Sequence, residues 1–489
     1  MASYALINLT LITLDPAHRV IRDGALVVAD DRILAVGGAD EVELHVRRAD
    51  TVIDGRDMVA LPGFVNAHTH TFQSLLRGLA DGLDLLGFLR DIVYPVTPAM
   101  TSEDARLAAA LSIVEAIKSG TTCLIDNHSA DTSLEVTNDI ARVFSNSGIR
   151  GLIARGLRQP TARAKMWHVP EHVFQYSLDE EIEITRDLIE RWRRPANGRV
   201  QICPAPLTLF LAGPDDLRAA NQLAEEYGTP VHIHVAETSS EVDATVEDYG
   251  LREVAHLANV GVLNERCHVV HGVWLDDEEL DLLAAAGGHV IHCPTSNMSL
   301  ASGIARVPEL AARGVNVALA SDGIGNHNHD MFGVLKTTVL LQRVHTGKPD
   351  VLTPMQILEM ATLGGARALG LQDEIGSLEP GKKADVILID MQKPHLVPVH
   401  DIATAIVHGA TAADVDTVIV DGQFLMRNRR LETLDEHMIT TSAGHAAREL
   451  VCRAGLNSQT VYSSANEAQA QGQMEMSSLA PSVGTERPS

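Results

Sequence analysis

Short apolar runs alternate with helical stretches from residue 59 to about residue 370, and this alternation constrains the fold more than any other feature of the chain. Buried strands separated by amphipathic helices are typical of parallel α/β folds. Eight such units predict a closed (β/α)8 barrel, the TIM barrel fold. An open doubly wound sheet is the alternative, but the sequence lacks the Gly-rich phosphate-binding fingerprint that would support it. The eight strand-like runs are residues 59–65, 121–126, 149–155, 200–204, 231–235, 268–273, 289–293 and 315–320.

Strand-like segments also occupy both ends of the chain, outside the predicted barrel of residues 59–374. Apolar runs bounded by Gly and Asp turn signals fill residues 1–58 and return in residues 375–430. We expect the two ends to meet in one small β-sandwich domain. Residues 431–456 are expected to contain a C-terminal helix. Residues 457–489, rich in Ser, Gln, Ala and Glu, are expected to form a flexible tail.

The composition excludes several classes of partner. A formal net charge of -25 repels phosphate backbones and anionic lipid surfaces, so we expect neither a nucleic acid nor a membrane as partner. The five cysteines are scattered without a Cys-x-x-Cys pair, as is usual in a reducing compartment. The first residues lack the basic start of a secretory signal, and no apolar run is long enough to span a bilayer. A cytoplasmic location is therefore expected.

Metal-binding side chains stand where the predicted barrel strands end. His68 and His70 follow the first strand one residue apart, so alternation places both side chains on one face. His234, His271 and Asp322 end the fifth, sixth and eighth strands. Active sites of such barrels lie at the carboxyl ends of the strands. A single strand-end histidine is usually structural, but this set together predicts a site for Zn2+ or Fe2+.

These motifs resemble the amidohydrolase superfamily, in its mononuclear-metal deaminase and chlorohydrolase branch. Relatives in that branch include triazine hydrolases, guanine- and pterin-type deaminases, and methylthioadenosine/adenosylhomocysteine deaminases. The resemblance covers roughly residues 1–455. It rests on Pro62-Gly-Phe-Val-Asn-Ala-His68-Thr-His70, His234-Val-Ala-Glu237, His271-Gly272, Ser321-Asp322-Gly323 and Pro380-Gly-Lys-Lys-Ala-Asp385.

The resemblance implies a catalytic site with one divalent metal ion per chain, Zn2+ or alternatively Fe2+. It implies that Glu237 shuttles a proton, that His271 orients the water or polarises the substrate, and that Asp322 also helps to protonate the leaving amine. Many superfamily members hold two metals bridged by a carbamylated Lys on the fourth strand. Residues 199–206 of this chain contain no Lys, which predicts a single metal. The implied metal ligands are His68, His70, His234 and Asp322.

The residues expected to contact the substrate divide between two groups of relatives. Gln73 resembles the Gln of triazine, pterin and oxopurine hydrolases, and its amide can pair with a ring nitrogen or a carbonyl. Nucleoside-type deaminases carry a ribose-gripping Glu where this chain has Thr97, and a His where it has Ala205. These three positions favour a free heterocycle as substrate.

Other positions resemble the nucleoside-type deaminases instead. Arg155-Gly156 and the run around Asn297 are two of them, and both Arg155 and Asn297 are candidate substrate-binding residues. His327 and His329, in the loop after the eighth strand, are expected to line the pocket, with His327 as a candidate for substrate contact. Residues 159–176 match no relative and are expected to form a lid over the substrate.

The leading hypothesis is a metal-dependent amidohydrolase that attacks an electron-poor carbon of an N-heterocycle, of aminotriazine, oxopurine or pterin type, and releases ammonia, an amine or chloride. One alternative is an adenosine-type deaminase acting on methylthioadenosine or adenosylhomocysteine. A second is a hydrolase of urea, carbamate or amide C–N bonds. A third is an inert scaffold protein of this fold, although the chain keeps every expected metal ligand. The resemblance also implies a homo-oligomer, a dimer or a tetramer.

Overall fold

The computed structural model describes residues 3–193, 198–323 and 328–456. The strands are β1 (Ser3–Ile12), β2 (Val20–Ala29), β3 (Arg32–Gly38), β4 (Thr51–Asp54), β5 (Met58–Pro62), β6 (Phe64–Thr69), β7 (Thr121–His128), β8 (Arg150–Leu157), β9 (Val200–Pro206), β10 (Val231–Val235), β11 (Cys267–His271), β12 (His289–His292), β13 (Asn316–Leu319), β14 (Val386–Asp390), β15 (Val415–Val420), β16 (Gln423–Arg427) and β17 (Arg430–Leu431). The helices are α1 (Ala39–Val46), α2 (Leu85–Phe88), α3 (Tyr94–Val96), α4 (Ser102–Lys118), α5 (Leu134–Ser147), α6 (Ala162–Met166), α7 (Leu178–Trp192), α8 (Pro214–Tyr227), α9 (Ser239–Tyr249), α10 (Glu253–Asn259), α11 (Asp277–Ala286), α12 (Pro294–Ser299), α13 (Val307–Ala312), α14 (Met331–Thr346), α15 (Pro354–Glu359), α16 (Gly365–Ala368), α17 (Ile402–Gly409) and α18 (Glu436–Arg453).

Two four-stranded parallel sheets form the barrel, in the orders β6-β7-β8-β9 and β10-β11-β12-β13. Hydrogen bonds join the two sheets at both seams. The amide of His234 donates to the carbonyl of Leu207 across 3.1 Å, and the amide of Asp322 donates to the carbonyl of His68 across 2.9 Å. The predicted (β/α)8 barrel is therefore confirmed, and predicted metal ligands lie at both closing seams.

The apolar run of residues 59–65, predicted as one barrel strand, is divided at Gly63. The segment before it, β5, pairs with β1 and β14, whereas the segment after it, β6, pairs with β7. A Cβ atom at Gly63 would lie 2.1 Å from Cγ2 of Thr122, so the crossing requires a glycine. The first barrel strand thus begins five residues later than the sequence predicts, because an apolar run does not reveal which sheet each half joins.

Both ends of the chain contribute strands to one nine-stranded sheet, where the sequence predicts a small β-sandwich built from both ends. Its order is β17-β16-β15-β14-β5-β1-β2-β3, with β4 beside β1. The strand β5 joins the halves, since it pairs in parallel with β1 and antiparallel with β14. Leu6, Leu26 and Val386 belong to one buried apolar cluster, so the two ends share a core.

A buried ionic cluster attaches this sheet to the barrel. Arg150, at the start of β8, donates to both carboxylate oxygens of Asp385 at 2.9 and 3.1 Å and also contacts Asp421. The carboxylate of Asp385 also accepts from the amide of Asp421 at 2.8 Å. The motif that ends in Asp385 therefore holds the sheet against the barrel, and it does not contribute to the group of strand-end histidines.

The C-terminal helix α18 packs against α4, which follows the first barrel strand. Lys118 and Glu436 form an ion pair of 2.8 Å, and Arg453 contacts Asp104. The predicted tail, residues 457–489, lies outside the described residues. Within the described ranges, none of the helices combines the length and the apolar character that crossing a bilayer requires.

Candidate active site

The predicted metal ligands converge at the carboxyl ends of the barrel strands, and all of them are buried. Oδ1 of Asp322 lies 3.2 Å from Nε2 of His68 and 3.6 Å from Nε2 of His70. Nε2 of His70 lies 3.3 Å from Nε2 of His234. Three imidazole nitrogens and one carboxylate oxygen thus face a common point from three different strand ends.

Backbone carbonyl groups fix the ring tautomers of two of these histidines. Nδ1 of His70 lies 2.8 Å from the carbonyl of Asn127, and Nδ1 of His234 lies 2.7 Å from the carbonyl of Leu207. Because a carbonyl oxygen can only accept, both Nδ1 atoms carry the hydrogen and both Nε2 atoms present a lone pair. This is the arrangement that metal-binding histidines adopt.

The electrostatics of the site keep its histidines neutral. Burial, and next the neighbouring ring of His68, lower the pKa of His70 to about 3. Burial also holds the pKa of His234 well below its usual value. Neutral imidazoles with converging lone pairs beside a carboxylate repel one another unless a cation lies between them. The buried Nε2 of His68 lies 3.2 Å from Oδ1 of Asp322 without forming a well-aligned hydrogen bond, so this donor set fits a divalent metal ion.

A carboxyl group and an imidazole lie beside the metal ligands. Nε2 of His271 is 3.3 Å from Oε2 of Glu237, and Oγ of Ser302 donates to Oε1 of Glu237 across 3.2 Å. Burial, reinforced by the charge of Asp322, raises the pKa of Glu237 to about 8. Glu237 can therefore hold a proton at neutral pH, as a group that shuttles protons must.

Asn297, predicted to bind substrate, lies behind His271. Its Oδ1 is 2.9 Å from Nδ1 of His271. Since an amide oxygen accepts, Nδ1 of His271 donates and its Nε2 presents a lone pair towards Glu237. The placement makes Asn297 an orienting residue for His271, and its neighbour Ser296 lines the cavity.

Three residues of the site have left-handed backbone conformations. The φ angles are 52° at Ala236, 72° at His271 and 62° at Asp322. Residues with a Cβ seldom adopt such angles, and strained residues of this kind cluster at functional sites. The strand ends are thus bent at the points where side chains must turn towards the shared centre.

A cavity opens above the strand ends. Gln73, a predicted substrate contact, lines it, and so does Thr97. Ala205 lies in the buried barrel interior. The other polar lining residues beyond the predicted centre are Tyr94, Ser129, Arg158, Thr208, Glu241 and Ser296. The apolar lining residues are Phe72, Leu85, Phe88, Leu89, Val93, Val173, Leu207, Phe210, Leu211 and Leu300.

Arg155, like Asn297, was predicted to contact the substrate but is not in the described lining. Arg155 is fully buried, lies 2.6 Å from Oε2 of Glu181 and donates from Nε to the carbonyl of Thr132 across 2.8 Å. Arg158, three residues later, lines the cavity instead. Beyond the strand end the regular alternation of side chains is lost, so the sequence does not show which arginine reaches the cavity. His327 lies outside the described residues.

His329 was also expected to line the pocket, but it is buried behind the site. Its Nδ1 lies 2.9 Å from Oγ of Ser321, and its carbonyl accepts from Oγ of Ser119 at 2.9 Å. His329 therefore links the segment that follows Asp322 to the end of α4.

The segment of residues 159–176 covers one wall of the cavity. The ring of Trp167 packs on the ring of Phe210 with centroids 4.9 Å apart, and Val173 reaches the cavity lining. Nε2 of His172 lies 2.9 Å from the carbonyl of Tyr94. That this segment closes over a substrate stays a prediction. The run from Thr161 to Phe174 has no periodic pattern from which these contacts could have been predicted.

Sequence reasoning missed Glu241 as a lining residue, although a local signal was present. Thr238 and Glu241 form a capping box at the start of α9. Glu241 lies four residues after Glu237 in the sequence. The [S/T]-x-x-[D/E] spacing identifies such a helix start, and a helix that starts at a barrel strand end faces the cavity.

Comparison with known proteins places these features in a family. The amidohydrolase family model matches residues 59–425. The 5-methylthioadenosine/S-adenosylhomocysteine deaminase of Syntrophomonas wolfei is 38% identical over 448 residues, covering 91% of this chain and 98% of the relative. The 5'-deoxyadenosine deaminase of Methanosarcina acetivorans is 36% identical over 455 residues, covering 93% and 100%. The crystal structure of an adenosine deaminase from Xanthomonas campestris with bound zinc aligns with a TM-score of 0.83 at 30% identity, covering 92% and 98%.

Proposed function

The chain belongs to the amidohydrolase family and is a hydrolase of non-peptide carbon–nitrogen bonds, and we propose that it deaminates an adenosine-type nucleoside at the amino-bearing carbon of the purine. The observation that carries the proposal is the pairing of Glu237 with His271 beside three neutral histidines and Asp322. The relatives named as methylthioadenosine/adenosylhomocysteine and deoxyadenosine deaminases support this substrate class over a free heterocycle.

His68, His70, His234 and Asp322 would hold the metal ion. When bound there, a divalent cation lowers the pKa of water towards neutrality and so supplies the hydroxide nucleophile. We infer one ion per chain, with Zn2+ as the first candidate and Fe2+ as the second, because His and Asp ligands suit both. Elemental analysis of the purified protein tests this inference, and two tightly bound ions per chain would contradict it.

The other residues of the site would move protons and orient the substrate. Glu237 would take a proton at Oε2 and deliver it to the ring nitrogen beside the attacked carbon. His271, held by Asn297, would orient the nucleophile or polarise the substrate from Nε2. Asp322 would help to protonate the departing amine. Gln73 would pair with the ring through its amide.

An ammonia-release assay of the metal-loaded protein tests the proposal. The panel contains adenosine, 5'-deoxyadenosine, 5'-methylthioadenosine and S-adenosylhomocysteine, together with guanine, pterin, cytosine and aminotriazines, and chloride release is followed on chlorotriazines. Turnover of the adenosine-type compounds at the highest kcat/KM is the expected result. Turnover confined to free heterocycles would overturn the proposal.

Hydrolysis of a free N-heterocycle is a second candidate, because two specific positions favour it. Thr97 lines the cavity where nucleoside-type relatives carry a ribose-gripping Glu, and Ala205 stands where they carry a His. Neither side chain can accept hydrogen bonds from both ribose hydroxyls as a carboxylate does. Guanine, pterin or triazine turnover without nucleoside turnover is the outcome that this candidate predicts.

A further inference from the structure

Arg158 is a buried cation in the wall of the active-site cavity. It is 3% exposed and follows β8 by one residue. Its Nη1 donates to the carbonyl of Ser129 across 2.7 Å, and its Nη2 lies 3.4 Å from Oγ1 of Thr132. Its Nε is buried without a partner among the described residues. The hydrogen-bond partners of this guanidinium among the described residues are thus neutral oxygen atoms.

The positive charge of Arg158 has no carboxylate of its own as a partner among the described residues. Glu181 is the carboxylate whose charge acts most strongly on Arg158. Its Oε2, however, already pairs with Nη1 of Arg155 across 2.6 Å. Two buried guanidinium groups therefore share one buried carboxylate, with the charge of Asp131 and the hydroxyl of Tyr94 acting more weakly. Burial lowers the pKa of Arg158 to about 10, so the group is still cationic at neutral pH. A buried charge without a dedicated counter-charge is unfavourable unless a ligand supplies one.

Resting on the nucleoside deaminase function, we propose that Arg158 binds a carboxylate substituent of the substrate. The planar guanidinium fork matches a carboxylate. A phosphate is a poorer candidate, because the carboxylate of Asp322 lines the same cavity and repels a second negative charge.

The position of Arg158 suits a group distant from the reacting carbon. In the closed ring of eight strands, Arg158 follows the third strand, β8, whereas His271 ends the sixth, β11. The two residues therefore face each other across the mouth of the barrel. A purine held beside His271 would leave the part of the cavity lined by Arg158 and Val173 for the substituent on its ribose.

Paired substrates test the assignment. The kcat/KM of S-adenosylhomocysteine, which carries a carboxylate, is compared with those of neutral 5'-methylthioadenosine and of adenosine 5'-phosphate. Arg158→Gln is expected to lower kcat/KM for the carboxylate substrate about 10- to 100-fold, mainly through KM, and for the neutral substrate less than about threefold. Arg158→Lys is expected to recover part of the loss. An equal loss on both substrates, or a preference for the phosphate, would overturn the assignment.

Two further measurements separate the possible failures. Arg186→Gln, which removes an exposed partner of Glu226 on the outer helices, is the matched control and should leave both substrates unchanged. The Tm of Arg158→Gln should equal or exceed that of the wild type, whereas a structural role would lower it. If no nucleoside is turned over, the proposed nucleoside deaminase function is wrong. The effect of Arg158→Gln on kcat/KM for pterin-6-carboxylate relative to pterin then tests the role of Arg158 independently.

A separate feature, a chain of buried histidines, runs from the metal ligands into the barrel interior. Nδ1 of His68 lies 2.8 Å from Nε2 of His232, and Nδ1 of His232 lies 3.1 Å from Nδ1 of His268. Nε2 of His268 lies 2.7 Å from the carbonyl of Ala368. All three rings are fully buried, and burial lowers the pKa of each one below its usual value.

The terminal carbonyl sets the tautomer of every ring in this chain. Since the carbonyl of Ala368 only accepts, Nε2 of His268 donates and its Nδ1 must accept. Nδ1 of His232 therefore donates to His268, and Nε2 of His232 accepts from Nδ1 of His68. We propose that His232 and His268 are positioning residues that hold the Nε2 lone pair of His68 towards the metal site, in the way that a single carbonyl does for His70 and His234.

Metal affinity tests this relay without reliance on activity. His268→Phe should weaken Zn2+ binding about 10- to 100-fold in competition with a chromophoric chelator, because the tautomer of His68 is released. His268→Gln, which retains a donor and an acceptor, should recover part of the affinity. His292→Phe is the matched control, since His292 is fully buried in the same barrel and neither ring nitrogen has a partner among the described residues. Equal affinity of the His268→Phe and His292→Phe proteins would exclude the relay.

Discussion

At the scale of single residues, Glu237 is the side chain on which the chemistry depends most directly. Its pKa of about 8 results from burial and from the charge of Asp322, and Ser302 holds the second oxygen in place. Neither condition is visible in the sequence, which shows only a Glu three residues after His234.

Glu237→Gln is expected to lower kcat by roughly 10²–10⁴-fold, because the amide cannot transfer the proton. The side chain has nearly the same shape and is not a predicted metal ligand, so metal content should stay at the wild-type value. Steady-state kinetics and elemental analysis of the same preparations check both statements. Ser302→Ala serves as the comparison and should cost far less in kcat. A metal-free Glu237→Gln protein would show instead that Glu237 supports the ligands.

At the scale of secondary-structure elements, the starts of α9 and α10 bring acidic side chains together under the cavity. Glu253 accepts from Oγ1 of Thr245 at 3.1 Å and from the amide of Ala236. Burial, reinforced by the charge of the neighbouring Glu241, raises the pKa of Glu253. Burial, reinforced by the charge of Glu237, likewise raises the pKa of Glu241. The helix starts that shape the cavity floor therefore hold carboxyl groups that favour the protonated form.

This raised pKa has a consequence for stability. A carboxyl group with a raised folded-state pKa contributes fully below its ordinary pKa, near 4.5, and loses that contribution as the pH rises through the folded-state value. Glu253→Gln cannot ionise, so its free energy of unfolding relative to the wild type should improve by roughly 1–3 kcal/mol between pH 5 and pH 9. Thermal unfolding across that range measures the difference. A difference independent of pH would show that Glu253 does not titrate there.

At the scale of the whole molecule, the contacts between the barrel and the nine-stranded sheet include a buried ion pair beside a shared apolar core. Arg150 and Asp385 are both nearly inaccessible, with side-chain exposures of 8% and 2%. Removal of one partner from a buried ion pair leaves an uncompensated charge, which costs far more than loss of an exposed pair.

Arg150→Met is therefore expected to lower the free energy of unfolding by about 3–5 kcal/mol. Arg47→Met, which breaks the exposed pair with Glu43 on α1, should change it by less than about 1 kcal/mol. Chemical denaturation of both variants gives the comparison. Similar losses in the two proteins would mean that the cluster does not couple the sheet to the barrel.

Removal of the metal should also affect the whole barrel, since His68, His234 and Asp322 come from strands on both sides of the two seams. Treatment with a chelator is expected to lower Tm by several degrees, and added Zn2+ should restore it as its concentration exceeds Kd. Calorimetry with and without Zn2+ measures the effect. An unchanged Tm would indicate that the preformed site needs no cation for stability. The homo-oligomer and the cytoplasmic location stay predictions.

The sequence by itself determined the features that depend on local periodicity. Strand alternation and strand ends are local, so the barrel, the two-ended sheet and the convergence of His68, His70, His234 and Asp322 could all be predicted. Which side chains meet beyond the strand ends depends instead on the three-dimensional fold. It divided the first apolar run at Gly63, placed Arg158 rather than Arg155 in the cavity, and joined His232 and His268 to His68. Those pairings depend on the closure of the ring, which brings together residues that no spacing along the chain relates.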